Sequence, residues 1–426
     1  MTDQDCRFAN SQIRTLEPVL LALAATFTGL GFVSLGLVTQ GRARAAEIWP
    51  ALVWAAALAA AWLALQWQRP NHDPLLLPIT ALLAGLGLVM VKRLAPNFLT
   101  RQLLWSLLGL GAMLTVGLGL QNLRLLRRYR YTWLAGGLAL LALTLLFGVN
   151  PAGTGAQLWL GLGGFYFQPS EPLKLLMIIF LASYLAEKRP LLTGTVYQIG
   201  RFRLPPLPYL GPVLLMWSFS MLLLVWQRDL GAAWLFFAVF LSMLYVTIGQ
   251  AGYVLLGLGL FGIGATIGYR LFYHVRLRVD IWLNPWAEAS GRAFQIVQSL
   301  LAFAAGGALG QGIGQGQPTF IPVVHSDFVF SALGEELGLM GTLAVLILFA
   351  LLVARGGRIA LTAQTPFRQL LAFGLTVLLG LQALTIMAGS LKMVPLTGVT
   401  LPFISYGGSS MLSSFTMMGL LIATDR

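Results

Sequence analysis

Apolar residues recur along this chain in long unbroken runs, separated by short polar links or by links bearing glycine and proline. A membrane-spanning helix needs roughly 20 mostly apolar residues. About twelve runs qualify, near 18–39, 49–67, 75–91, 103–120, 131–148, 170–187, 209–226, 231–248, 253–270, 337–354, 369–388 and 411–424. They are continuous and not alternating, which excludes the strands of a membrane barrel. The pattern predicts an all-α, polytopic membrane helix bundle. Two segments break the rhythm. The link 271–336 is by far the longest, and 395–410 carries Pro395, Pro402, Gly407 and Gly408 yet stays apolar.

Composition supports the same class. The chain is 58% hydrophobic with only 10% charged residues, which excludes a soluble globule. Forty-eight glycines suit close packing of membrane helices. A formal net charge of +13 could suggest a nucleic-acid partner. The bases instead sit in short clusters between apolar runs, so they read as topology signals and no nucleic acid is expected. A single cysteine, Cys6, excludes an internal disulfide and any multi-cysteine metal site. No cleavable signal peptide is expected, since the polar start leads into a long apolar segment without a small-residue cleavage motif.

Those clusters predict an orientation. Arg124, Arg127, Arg128 and Arg130 crowd the link 121–130, whereas 149–169 has no Lys or Arg. Lys188, Arg189, Arg201 and Arg203 mark a second basic link, and Arg355, Arg358 and Arg368 a third. The balance places both termini in the cytoplasm and puts 149–169 and 271–336 outside. Lys92, Arg93 and Arg101 fall on the opposite side from that trend. The outer link 271–336 is glycine-rich and carries Trp282 and Trp286, suited to an interface. It is too apolar for disorder and is expected to fold back on the bundle, where irregular backbone must be covered or line a wet cavity.

Candidate chemistry gathers in and around these links. The stretch Pro318–Gly338 holds His325, Asp327, Glu335 and Glu336 in a chain with only 14 acidic residues. An acid beside an apolar helix is costly and usually has a task. Ser326 and Asp327 also read as a simple helix N-cap. In FQPSEPLKLL, Glu171 and Lys174 lie three residues apart on one helix face, as an ion pair with a snorkelling lysine or as a contact for an anionic head group. WQRDLG at 226–231 reads as a tight turn with Arg228 and Asp229 capping helix ends.

Six segments in order, GAQLWLGLGGFYFQPSEPLK, WQRDLG, HVRLRVDIWLNPW, FQIVQSLLAF, VVHSDFVFSALGEELG and PLTGVTLPFISYGGSS, resemble the SEDS family across roughly 74–424. These are the shape, elongation, division and sporulation proteins of the RodA and FtsW type. The resemblance implies a peptidoglycan glycosyltransferase in the bacterial cytoplasmic membrane. It would polymerise lipid II beside a class B penicillin-binding protein, in contact with membrane lipids. It also implies a ten-span core over 71–426 and an N-terminal addition, 1–70, of two spans. The family's catalytic aspartate maps onto Asp327. By motif position Glu171, Lys174, Asp229, Arg278, Gln298, Ser299, Lys392 and Ser405 would line or support the substrate cavity, and His325 is counted with them. Two family positions differ here, Val323 where a Glu is usual and Leu158 where an Arg is common.

The implied chemistry is attack of a sugar hydroxyl on an anomeric carbon bearing undecaprenyl diphosphate. That leaving group is already good, so one carboxylate base suffices, unlike the paired acids of glycoside hydrolases. Arg278, Lys174 and Lys392 are the outer-side cations for the diphosphate, and His325 would orient Asp327. No cofactor is expected. A divalent cation such as Mg2+ bridging the diphosphate is compatible with the chemistry, but the sequence shows no dedicated ligand cluster. The rival readings are a lipid-precursor flippase or transporter and a scaffold without catalysis. No inverted repeat is found, and the acids cluster at the outer side.

Overall fold

In a computed structural model every one of the twelve expected runs falls on a helix. The structure describes residues 3–41, 47–120, 123–150, 157–162, 165–194, 197–199, 202–204 and 207–425. Arg201 and residues 151–156, both used above to infer orientation, lie outside the described residues, as does the side chain of Arg203.

The chain begins with α1 (Asp3–Gln40), α2 (Trp49–Gln68), α3 (Leu76–Leu94), α4 (Leu99–Gly119), a short α5 (Arg124–Arg128) and α6 (Arg130–Phe147). A hairpin of β1 (Leu160–Leu162) and β2 (Phe165–Phe167) leads to α7 (Ser170–Gly194). A second hairpin, β3 (Tyr197–Ile199) and β4 (Phe202–Leu204), precedes α8 (Leu207–Trp226), α9 (Leu230–Ile248) and α10 (Ala251–Leu271). Then follow α11 (Tyr273–Leu283), α12 (Phe294–Gly306), α13 (Val329–Thr362), α14 (Pro366–Ser390) and α15 (Gly408–Thr424).

Among the described residues nine helices are long and apolar enough to cross a membrane. The other three expected spans differ for visible reasons. Glu171, Lys174 and Glu187 interrupt α7, the described apolar part of α8 is Leu214–Trp226, and α15 has 17 residues.

Packing divides the chain into two units, each discontinuous in sequence. The first comprises Met1–Gln121, Ile281–Arg355 and Gln382–Arg426, the second Asn122–Asp280 and Gly356–Leu381. In the first, α4 runs along α15 and α1 along α3, with α2 against both α1 and α4. Small residues let the α4–α15 axes approach: a Cβ at Gly419 would meet the Met113 carbonyl oxygen at 2.6 Å. Buried ion pairs pin the N-terminal helices, Glu17 to His72 at 2.9 Å and Arg355 Nε to Asp73 Oδ2 at 2.7 Å. Two of the bases that ran against the charge trend are also paired in this unit, Lys92 with Glu47 and Arg93 with Glu336.

The long link is more structured than a loop, and α13 starts at Val329, well before the expected 337. The helix is broken at Gly338, whose φ of 65° and ψ of −165° suit only glycine. The glycine-rich segment 307–317 takes up the peptide groups at this break. Leu339 N donates to Gly307 O at 2.9 Å and Met340 N to Ala308 O at 3.1 Å. In return Gln311 N donates to Glu335 O at 2.9 Å and Gly312 N to Glu336 O at 3.0 Å. Leu35 and Val38 of α1 lie against Gly314 and cover the loop. The link therefore folds back on its own helix, with its backbone groups satisfied.

In the second unit α7 packs on α6 and α9, and α9 also packs on α8 and α10. Gln227 at the end of α8 donates to Leu141 O at 2.6 Å and to Thr144, fixing the α8–α9 turn to α6.

Two predictions follow from this architecture. A Cβ at Gly338 would fall 2.7 Å from the Ala308 carbonyl oxygen at a left-handed φ. Gly338→Ala is expected to cost about 1–3 kcal/mol. Gly357→Ala, on the same helix with open space around it, should be neutral or stabilising; thermal unfolding in detergent distinguishes the two. For topology, single cysteines at the exposed Gln157 and Ala287 in a Cys6→Ser background should react with an impermeant maleimide outside intact cells. A cysteine at Arg128 should be protected. Protection of the first two sites would overturn the orientation.

Candidate functional site

Two irregular segments of the first unit meet around Asp327. One is 318–328, leading into α13; the other is 391–407, between α14 and α15. The second is as buried as its apolar sequence implies, with Leu401, Phe403, Ile404 and Ser405 all inside. The two are stitched directly. Ser405 Oγ donates to Ser326 O at 2.6 Å and accepts from Leu401 N at 2.9 Å, while Tyr406 N donates to His325 O at 2.8 Å. Gln102 of α4 donates to Ser405 O at 3.2 Å. Ser405 is thus a clasp between the segments, buried at their junction.

Asp327 itself is half-buried. Ser326 Oγ donates to its Oδ1 at 2.6 Å, and Gly398 of the opposing segment lies alongside its Oδ2. The first amides of α13 bond to Phe328 O, from Ser331 N at 2.9 Å and Ala332 N at 3.2 Å. The capping position is therefore Phe328, and Asp327 stands one residue before it. The carboxylate is held at the helix start without occupying the cap.

The ring of His325 packs beside Phe98 and Tyr406, with centroids at 5.5 and 5.6 Å, and these two rings stack on each other at 4.6 Å. Burial lowers the His325 pKa from its ordinary value, so the imidazole is neutral at physiological pH. Ser326, not singled out for this in the sequence, also contacts the Asp327 carboxylate. Burial raises the Tyr406 pKa, against the opposing charge of Arg101.

The remaining expected residues of this unit support the same junction. Ser299, fully buried on α12, shares a 2.6 Å hydrogen bond with Ser331 and donates to Ser390 O at 2.7 Å, joining α12, α13 and the end of α14. Gln298 is half-buried beside it. Lys392 points its Nζ at Leu283 O, 3.4 Å away at the end of α11, and its carbonyl accepts from Trp282 Nε1 at 3.0 Å. A cation there matches the helix dipole.

Glu335 and Glu336 turn out to be fasteners. Glu335 Oε1 accepts from Gln317 N at 2.6 Å, and Glu336 Oε2 from Gly314 N at 3.0 Å. Arg93 bonds Glu336 Oε1 at 2.8 Å and Gly316 O at 2.7 Å.

Four expected residues belong to the second unit: Glu171, Lys174, Asp229 and Arg278. Lys174 Nζ lies 2.8 Å from Glu171 Oε1, and both are buried, so the lysine does not snorkel to water. Asp229 caps α9 by accepting from Ala232 N at 3.0 Å, while its buried Oδ2 meets no protein donor among the described residues. Arg278 is half-buried on α11. Burial lowers the His274 pKa, and the charges of Arg228 and Arg278 lower it further. The charges of the α8–α9 turn and of α11 thus both act on His274. Sequence reading gave Arg228 only as a helix-end cap and did not single out His274. Their signal was present in the adjacent motifs WQRDLG and HVRLRVD.

The non-glycine residues with left-handed backbone among those described are Arg228, Val323, Lys392 and Phe403, with φ of 65°, 56°, 59° and 66°. Arg228, Val323 and Phe403 lie in segments singled out by motif, and Lys392 lies just before one. Such residues cost about 1–3 kcal/mol each and persist where surrounding structure holds them, often at functional sites.

A family model described as a cell cycle protein, FtsW/RodA/SpoVE, matches residues 74–426. The chain belongs to that family. The peptidoglycan glycosyltransferase RodA of Mycobacterium tuberculosis (strain ATCC 25618 / H37Rv) is 41% identical over 363 residues, covering 83% of this chain and 77% of that one. The probable peptidoglycan glycosyltransferase FtsW of Geobacter sulfurreducens (strain ATCC 51573 / DSM 12127 / PCA) is 38% identical over 368 residues, covering 83% and 94%. Among solved structures, a chain from a peptidoglycan synthase complex that coordinates polymerization and crosslinking has a TM-score of 0.67 at 31% identity, covering 83% of this chain and 98% of that one. The rod shape determining protein RodA of Thermus thermophilus has a TM-score of 0.59 at 26% identity, covering 83% and 97%. This family member is a multi-pass membrane enzyme, a peptidoglycan glycosyltransferase.

The lowered His325 pKa predicts a pH effect. The unfolded chain binds a proton at His325 more readily than the folded one, so this residue's contribution to stability falls as pH drops through and below about 6.5. Asp425, whose pKa burial pushes up to about 6, acts with the opposite sign. The comparison must therefore be differential: between pH 7.5 and 5.5, thermal stability of His325→Gln should gain relative to the unmutated protein. Parallel pH profiles would show that His325 carries no such linkage.

Proposed function

We propose that this enzyme polymerises lipid II into glycan strands at the outer face of the bacterial cytoplasmic membrane, with Asp327 as the general base. The observation that carries the reading is the placement of Asp327. It is a half-exposed carboxylate, one residue ahead of the helix cap, oriented by Ser326 and backed by two segments clasped through Ser405. Such a group takes the proton from the acceptor hydroxyl as the hydroxyl attacks the anomeric carbon. The undecaprenyl diphosphate leaves with the bonding electron pair. A positioned base typically contributes about 10²–10⁴-fold.

Charge on the departing diphosphate calls for fixed cations. The resemblance gives Arg278, Lys174 and Lys392 this role, and Arg228 of the WQRDLG turn joins them. Gln298, Glu171 and Asp229 complete the substrate contacts by motif. The leaving group supplies the driving force, so the reaction as proposed needs no resident cofactor. The transpeptidase partner is a class B penicillin-binding protein, a reading supported by the likeness to a synthase complex that joins polymerization to crosslinking. Residues 1–70 are an addition to the core, and both termini face the cytoplasm.

Asp327→Asn tests the base. Asn is close to isosteric with Asp, and Asp327 does not occupy the helix cap, so the variant should fold and bind lipid II. Polymerisation by the purified protein should fall roughly 10²-fold or more. Near-normal glycan synthesis by the folded variant would remove Asp327 from the mechanism. Lipid movement without glycan product from the unmutated protein would favour a flippase.

A further inference from the structure

A second charged cavity lies wholly within the second unit, formed by residues for which the glycosyl-transfer reading has no use. It measures about 320 Å3 and is lined by Arg124, Arg127, Arg128, Arg130, Tyr131 and Glu187. Four arginines against one glutamate leave a net lining charge of +3 (4 − 1). Arg130 is a fixed wall: it bonds Glu187 at 2.6 Å, and its guanidinium lies 5.1 and 5.6 Å from the ring centres of Tyr131 and Tyr184. Arg127 and Arg128 are exposed, and neither pairs with a carboxylate among the described residues. Basic turns beside spans are ordinarily solvated orientation signals. This one differs in lining an open-mouthed cavity that has one fixed wall, Arg130.

Its surroundings indicate what would enter. The cavity sits where α6, a candidate span over Arg130–Phe147, begins. Exposed side chains on the same stretch are amphipathic or apolar: Leu125 between the arginines of α5, then Tyr129, Tyr131 and Trp133. Aromatic rings of this kind settle at the head-group level of a bilayer. Further along, Leu140, Leu143 and Leu146 of α6 are exposed, suited to acyl chains. A soluble acidic peptide would have no use for this apolar collar. The volume is at the small end of the roughly 300–1,000 Å3 range of ligand cavities, enough for a head group with its chains left outside.

We propose that this cavity binds the phosphate head group of an anionic phospholipid, with arginines on the phosphate and acyl chains along α6. Basic pockets between membrane helices recognise such head groups by charge and by hydrogen bonds from the arginine fork. The site is separate from the residues assigned to glycosyl transfer and does not depend on Asp327.

The test uses the full-length protein, purified and delipidated in detergent, with binding read by native mass spectrometry. Phosphatidylglycerol should bind at least 10-fold more tightly than phosphatidylcholine. With each surface arginine worth roughly a factor of five, Arg127→Gln/Arg128→Gln should weaken phosphatidylglycerol binding about 30-fold and leave phosphatidylcholine unchanged. Arg368→Gln, which does not line the cavity, should have no effect. Glu187→Gln removes the acid of the lining and should tighten phosphatidylglycerol binding several-fold. It also keeps the proposal open to refutation if the double variant fails to fold. Equal binding of the two lipids, an unaffected double variant, or unchanged or weaker binding by Glu187→Gln would each overturn the assignment. Displacement of the lipid by glycerol phosphate at similar concentration would do so too, by showing a site for the free phosphate ester.

Discussion

Irregular backbone inside an apolar bundle must have its hydrogen bonds supplied by protein, because hydrocarbon supplies none. The first unit depends on meeting that constraint at two places. At the broken helix α13, the glycine-rich segment 307–317 takes the freed amides and offers amides in return. Glu335, Glu336 and Arg93 fasten its outer turn. At the start of α13, Ser405 and Tyr406 join the segment 391–407 to 318–328. An unmade bond at either place would carry a desolvation cost of about 1–3 kcal/mol. The acids of the glycine loop are therefore structural, although an acid in such a chain invites a catalytic reading.

The same economy surrounds a carboxylate in an apolar protein. Asp327 accepts a hydrogen bond from its neighbour Ser326 and remains half-exposed. The rigidity comes from residues around it, including the stacked Phe98 and Tyr406 beside His325 and the Ser299–Ser331–Ser390 link behind. Left-handed backbone at Val323, Lys392 and Phe403 shows that these segments are held against local preference. In the second unit Arg228 takes the same left-handed backbone, and its charge and that of Arg278 act on His274.

The N-terminal helices enter this account through packing. Leu35 and Val38 of α1 lie on the glycine loop at Gly314, and α1 packs along α3, whose Gly87 lets the Phe403–Ile404 backbone come close. Buried pairs from Glu17 to His72 and from Asp73 to Arg355 hold the other end. Helices outside the 74–426 family match thus cover backbone that the family match contains.

The sequence by itself determined the class and most of the element list. Continuous apolar runs have no helix-strand ambiguity when each is long enough to cross a bilayer, so all twelve runs fell on helices. The charge economy pointed to Asp327, and the apolar character of 395–410 anticipated its burial. Only the tertiary structure decided the rest. Whether Glu335 and Glu336 are catalytic or structural depends on what faces them, and Arg93, the partner of Glu336 at 243 residues' separation, cannot be found from spacing. The snorkelling lysine expected at Lys174 became a buried pair because the first turns of α7 are covered on every side. The cap expected at Asp327 moved to Phe328 because helix starts follow backbone hydrogen bonds, not side-chain type. Local pattern records which residues leave water; long-range contacts decide what each meets there.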